Sequence, residues 1–78
     1  MLTKDERRVV DILVGCGVVA NLDTQPIQAV AEGMQWGTSK AEEFVYDLFA
    51  RKIVKREDLG RVGSEYNPRW RWVEVKIP

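Results

Sequence analysis

The chain has 78 residues, contains no histidine, and has one cysteine, Cys16. Without histidine the commonest general acid–base residue is missing, and neither the thiol nor a serine has an imidazole to activate it. One thiol cannot form a disulfide within the chain, and it cannot supply the usual Cys/His ligand set of a zinc site. We therefore expect no enzyme activity, no metal and no cofactor, and a function in recognition.

Long apolar stretches are absent too. No run approaches the roughly 20 apolar residues that span a bilayer, and the start of the chain lacks the pattern of a signal peptide. We expect no membrane association and a cytoplasmic protein, or a nuclear one if the source is eukaryotic. The length suits a single domain over residues 1–78. The content of 45% hydrophobic and 31% charged residues is typical of a folded chain.

The net charge is zero, but the two parts of the chain differ. Residues 1–50 hold four basic and eight acidic residues, a balance of −4, whereas residues 51–78 hold eight basic and four acidic residues, a balance of +4. Such a split points to an anionic partner for the basic part, although ordinary scatter on a solvated surface also explains it.

Hydrophobic spacing predicts three helices. The first starts at a capping box formed by Thr3 and Glu6 and ends at Gly15 or Gly17. The second begins within residues 23–26, capped by Asp23 or Thr24, and ends near Gly33. The third starts at a capping box over Ser39–Glu42 and runs to about Lys52, with the strongest apolar stripe in the chain.

Extended structure is predicted in three places. A short strand or linker is expected over Val18–Ala20, and two strands over Ile53–Arg56 and Arg69–Ile77. Between these two strands, Glu57–Pro68 is rich in turn residues, and we expect a long loop that is the most mobile part of the chain.

The predicted core combines the stripes of the three helices. Of the tryptophans of the last strand, we expect one to pack beneath the third helix and the other to cover the sheet edge. Trp36 is expected to fill the core and Cys16 to be a small buried hydrophobe. The helical core residues are Val9, Leu13, Ile27, Val30, Ala41, Phe44, Val45, Leu48 and Phe49.

This order of elements resembles the winged helix-turn-helix family over about residues 3–77. The resemblance rests on the Pro26–Gly33 helix, the Gln35–Gly37 turn and the stretch EEFVYDLFARKIVKRED, in which a basic cluster leads from the third helix into the wing. It implies an α+β fold of three helices plus a small antiparallel β-hairpin wing.

The stretches YDLFARKIVKR and NPRWRWV are also similar to the Zα type of winged helix, which binds left-handed nucleic acid. Tyr46, Pro68 and Trp70 occupy positions of that pattern. The chain departs from it at Glu42, at Glu43 and at Asn67, where the family has an asparagine, a basic residue and a proline.

In most winged helices the exposed face of the third helix enters the major groove, but here that face is acidic. Carboxylates repel phosphate, so we expect the wing and the basic junction from Arg51 to Arg56 to carry nucleic-acid binding. Arg69 and Arg71 should share one face of the last strand and form a basic cluster with Lys55 and Arg56. The candidate binding residues are Lys40, Tyr46, Arg51, Lys55, Arg56, Arg61, Arg69, Trp70 and Arg71.

Two functions remain open from the sequence. The first is a nucleic-acid-binding winged helix, such as a transcription regulator, that uses its basic wing. The second is a protein–protein interaction module on the same scaffold, which would suit zero net charge and an acidic third helix. The oligomeric state also stays open, a homodimer included.

Overall fold

The computed structural model describes residues 2–20, 24–60 and 68–76. Within these residues the chain forms three helices and a three-stranded antiparallel sheet, which confirms the α+β class. The hairpin expected from the sequence is joined by a short third strand. In chain order the elements are α1 (Lys4–Gly15), β1 (Val19–Ala20), α2 (Gln25–Met34), α3 (Thr38–Ala50), β2 (Val54–Gly60) and β3 (Arg69–Glu74).

The start of α1 confirms the predicted capping box. The Glu6 amide donates to the Thr3 hydroxyl at 3.1 Å, and the Thr3 amide donates to the Glu6 carboxylate at 2.9 Å. The helix ends at Gly15, and Gly17 takes a left-handed φ of 73° that suits glycine. Cys16 is only partly buried, and its thiol lies 3.2 Å from the Ile12 carbonyl.

Helix α2 continues through Gly33, where the sequence suggested that it ends. A Cβ at this position would lie 2.8 Å from the Ile12 Cδ1, so glycine serves the close approach of α1 and α2. Gln35 terminates the helix in the left-handed conformation, with φ 59°. Thr24 is the N-cap residue without a side-chain capping bond, and Asp23 lies outside the described residues.

The predicted capping box of α3 at Ser39 is wrong. Gly37, in extended conformation, is the N-cap residue, so Ser39 already lies within the first turn and caps no amide. The helix ends at Ala50 rather than Lys52, because Lys52 adopts a left-handed φ of 62°. The Ile53 amide then donates to the Leu48 carbonyl at 3.0 Å, which leads the chain directly into β2.

The sheet has the order β1-β3-β2, with β3 in the centre. Strand β2 runs to Gly60, so the loop predicted from Glu57 is wrong over its first four residues, three of which (Glu57, Asp58 and Gly60) pair with β3. A bulge between Asp58 and Gly60 interrupts the register. The rest of the predicted loop, except Pro68, lies outside the described residues, as does the expectation of mobility there.

The core lies between the helices and one face of the sheet. Trp70 and Trp72 are both buried, at 6% and 5% exposure, so the expectation that one of them covers the sheet edge is wrong. Their rings meet edge to face at 5.5 Å, and Trp72 meets Phe49 in the same way. Phe49 itself is 42% exposed and lies at the border of the core, contrary to prediction.

The remaining helical core residues pack as expected. Ile27 and Phe44 are partly buried against the core, as is Trp36, whose ring meets the Phe44 ring at 4.4 Å. The other six predicted positions are fully buried: Val9, Leu13, Val30, Ala41, Val45 and Leu48.

Candidate functional site

The register of the hairpin places its charged side chains on two faces. Lys55 pairs with Val73 and Glu57 pairs with Arg71, and directly paired residues of antiparallel strands share a face. The opposite face carries Val54, Trp70 and Trp72, which are buried under the helices. We use the name outer hairpin face for the face turned away from the helices, which comprises Lys55, Glu57, Arg69, Arg71 and Val73.

Two of these side chains form an ion pair. The Arg71 guanidinium donates from Nε and Nη2 to one oxygen of Glu57, at 2.9 and 2.6 Å. Both side chains are more than a third exposed, and ion pairs of this kind contribute at most about 1 kcal/mol. The pair orients the guanidinium while leaving it accessible. With Lys55 and Arg69, the outer hairpin face carries three cations and one carboxylate.

Arg56 lies on the other face, so the structure splits the basic cluster predicted from Lys55, Arg56, Arg69 and Arg71. Its guanidinium carbon lies 4.1 Å from the centroid of the Trp70 ring, a cation–π contact. The indole Nε1 of Trp70 donates to the Ala20 carbonyl at 3.2 Å. Trp70 is therefore held between β1 and Arg56, and little of its ring surface reaches solvent.

The predicted basic junction is partly neutralised within the molecule. Arg51 donates to the carboxylates of Glu6 and Asp47, the latter at 2.9 Å, and so links the end of α3 to the start of α1. These bonds raise the pKa of Arg51. The pKa of Glu6 is lowered from 4.5 to about 2, first by the Thr3 amide and then by Arg51. In the described part of the chain, the neighbouring Lys52 forms no ion pair.

The outward face of α3 is acidic and aromatic. Glu42, Glu43 and Tyr46 are exposed as the helical spacing predicts, and Tyr46 is 56% exposed. Phe49 follows Tyr46 by three residues and therefore lies beside it on the helix surface. Lys40 lies at the other end of this face, with its ammonium 4.5 Å from the Trp36 ring centroid. We use the name α3 acidic–aromatic face for Glu42, Glu43, Tyr46 and Phe49.

A further ion pair joins elements that are distant in the sequence. The two terminal nitrogens of Arg7 donate to the two carboxylate oxygens of Glu74, at 2.9 and 2.7 Å. One of these nitrogens, Nη2, also donates to Asp11 at 2.9 Å. The pKa of Arg7 is raised by these carboxylates, and that of Glu74 is lowered by Arg7. Sequence reasoning missed this contact, because the spacing of Arg7 and Asp11 indicates only a pair within the helix.

Arg61 lies outside the described residues. In residues 2–20, 24–60 and 68–76, no group of His, Cys, Asp or Glu side chains could hold a metal ion. No helix in those ranges has the length and apolar character needed to cross a membrane.

Comparisons with protein-family models, with curated proteins and with solved structures find no match to this chain.

Proposed function

We propose that this chain is a winged-helix domain that binds the phosphate backbone of nucleic acid through the outer hairpin face. The succession of α1, β1, α2, α3 and a β2–β3 hairpin, with β3 in the centre of the sheet, supports the winged-helix assignment. In such a domain the hairpin is the wing, and its outer face is available to a ligand.

The observation that carries the proposal is the shared face of Lys55, Arg69 and Arg71. A phosphate backbone releases counterions when Lys and Arg side chains neutralise it, which supplies most of the affinity that is independent of sequence. The ion pair of Arg71 with Glu57 does not prevent this role, since an exposed pair exchanges one anionic partner for another at small cost. The wing therefore carries the cations that a phosphate contact requires.

Helix α3 is a poor alternative for the main contact. Its outward side presents Glu42 and Glu43, and its terminal Arg51 is already bonded to Glu6 and Asp47. Among the specific pairs that side chains make with bases, those of Arg and Lys with guanine dominate. Binding by the wing should therefore depend strongly on salt and weakly on base sequence.

The test is fluorescence anisotropy with a labelled random-sequence duplex at low salt. We expect measurable binding that Lys55→Gln weakens, with the slope of log affinity against log salt reduced by about 0.9. Arg8→Gln is the matched control, because Arg8 is an exposed cation of α1 without an ion pair in the described residues. The absence of binding at micromolar protein, or equal losses in the two variants, would overturn the proposal.

A second variant measures how much Arg69 and Arg71 contribute to phosphate binding. Replacing both Arg69 and Arg71 with alanine should reduce the slope of log affinity against log salt by the amount expected for the loss of about two phosphate contacts. Because loss of Arg71 leaves the Glu57 carboxylate without its partner, the same variant is also made with Glu57→Gln. The slope change must persist in this background if the arginines contact phosphate directly.

A further inference from the structure

The α3 acidic–aromatic face is an unusual surface for a helix of this domain. Tyr46 and Phe49 are 56% and 42% exposed and adjacent. Glu42 and Glu43 lie one turn before Tyr46, and no salt bridge within the described residues neutralises them. The face therefore combines accessible ring surface with uncompensated negative charge, which suits a basic protein surface and opposes phosphate.

A complementary surface is present in the same chain. The outer hairpin face carries Lys55, Arg69 and Arg71 around the partly buried Val73. Lysine and arginine can pair with the carboxylates of α3, and guanidinium groups stack favourably on aromatic rings. The zero net charge, divided as −4 and +4 between the two parts of the chain, adds no overall repulsion between copies.

These two surfaces cannot meet within one copy. The core face of the sheet packs against the helices through Val54, Trp70 and Trp72, so the sheet itself lies between the outer hairpin face and α3. The complementary charges can therefore pair only between molecules.

We propose that the α3 acidic–aromatic face docks on the outer hairpin face of a second copy of this chain. Each copy carries both surfaces, so the contact produces either a closed dimer or a head-to-tail chain. The proposal has a regulatory consequence, which rests on the proposed function: self-association and nucleic acid occupy the same side of the wing and exclude each other. Free nucleic acid would then dissociate the assembly.

Sedimentation equilibrium on the full chain tests the contact at low salt. We expect the weight-average mass to rise with concentration and to fall towards the monomer as salt screens the charges. Glu43→Lys and Lys55→Glu should each weaken association about tenfold, because each places like charges opposite one another. The double variant exchanges the two charges, and association should return to within about threefold of the wild type.

Two further variants serve as controls. Glu32→Lys makes the same charge change on an exposed position of α2 and should leave association unchanged. Tyr46→Ser removes an exposed ring without opening the core, and it should weaken association without altering the melting temperature at high salt, where the chain is monomeric. Circular dichroism and thermal melting confirm that each variant is folded.

The result that overturns the proposal is a monomer at every concentration, or association that the charge exchange does not restore. The two proposals fail separately. A monomer that binds duplex leaves the proposed function standing, while restored self-association without duplex binding identifies the outer hairpin face as a protein interface.

Discussion

Helix α1 and the β2–β3 hairpin are both rich in charged residues, but they use them differently. In α1, Glu6 and Arg7 form ion pairs with Arg51 and Glu74, which belong to other elements. In the hairpin, the Arg71–Glu57 pair lies within the outer hairpin face, and Lys55 has no ion-pair partner among the described residues. The contrast shows that charge in a small domain can act as a structural link or stay accessible to a ligand.

The largest expected effect is the difference in stability between a substitution in the buried core and one on the outer hairpin face. Leu48→Ala should lower the free energy of unfolding by about 2–5 kcal/mol, because Leu48 is fully buried and its truncation leaves a cavity. Lys55→Ala should change it by less than about 0.5 kcal/mol. Urea denaturation of both variants measures the difference. A loss below about 1 kcal/mol for Leu48→Ala would contradict the described core.

The second prediction addresses the charges of α1. The pKa of Glu6 is lowered from 4.5 to about 2 in the folded state. A group with a lowered pKa contributes stability that is present above the unfolded value and is lost as the pH falls towards the folded one. We expect the melting temperature of the wild type to fall between pH 4.5 and 2 more steeply than that of Glu6→Gln.

The control for this experiment is Asp5→Asn. Asp5 lies in the same turn of α1, but it makes no ion pair in the described part of the chain. The Asp5→Asn variant should therefore keep the acid-dependent loss of the wild type. If Glu6→Gln and the wild type lose stability in parallel, the links from Glu6 to Thr3 and Arg51 do not form in solution.

The third prediction tests how closely α1 and α2 approach. Alanine at position 33 should gain up to about 1 kcal/mol in helix propensity, but its Cβ would meet the Ile12 Cδ1 at 2.8 Å. Ile12→Val removes that atom. We expect Gly33→Ala to be more favourable in the Ile12→Val background than in the wild type, by about 0.5–1 kcal/mol. Additive effects in thermal melts would show that the Ile12 side chain moves aside for the new methyl group without cost.

How far the sequence predicts the fold depends on the region. Periodic apolar spacing identified the helices and most of their buried residues, because a stripe at helical spacing has one efficient way to be buried. It misplaced Phe49, since the position at the edge of a stripe is buried only if the sheet covers it. The burial of Trp70 and Trp72 was underestimated, because the sequence of a single strand does not reveal how much of the strand the helices cover.

The faces of the β2–β3 hairpin were harder to predict. Every residue of Lys55–Asp58 is charged, so this segment has no alternation of apolar and polar residues that would indicate a strand or its two faces. Its pairing with β3 decides that Lys55 and Arg56 point to opposite faces, and this is a property of register rather than of composition. The link of Arg51 to Glu6 likewise depends on tertiary contact, so the accessible cations could not be separated from the paired ones in the sequence.

The smallest expected effect concerns the comparison between α3 and the wing as ligand surfaces. Replacing Glu42 and Glu43 with glutamine removes two negative charges from α3, which the sheet separates from the outer hairpin face. If the wing contacts phosphate, duplex affinity should rise modestly, by about threefold or less, because exposed charges at a distance are strongly screened. If α3 docks on a second copy as proposed, the same variant should also weaken self-association. Anisotropy at low protein concentration separates these effects, because self-association is then negligible. A loss of duplex affinity in this variant would mean that the glutamates contact the bases directly, and the division of roles between α3 and the wing would be wrong.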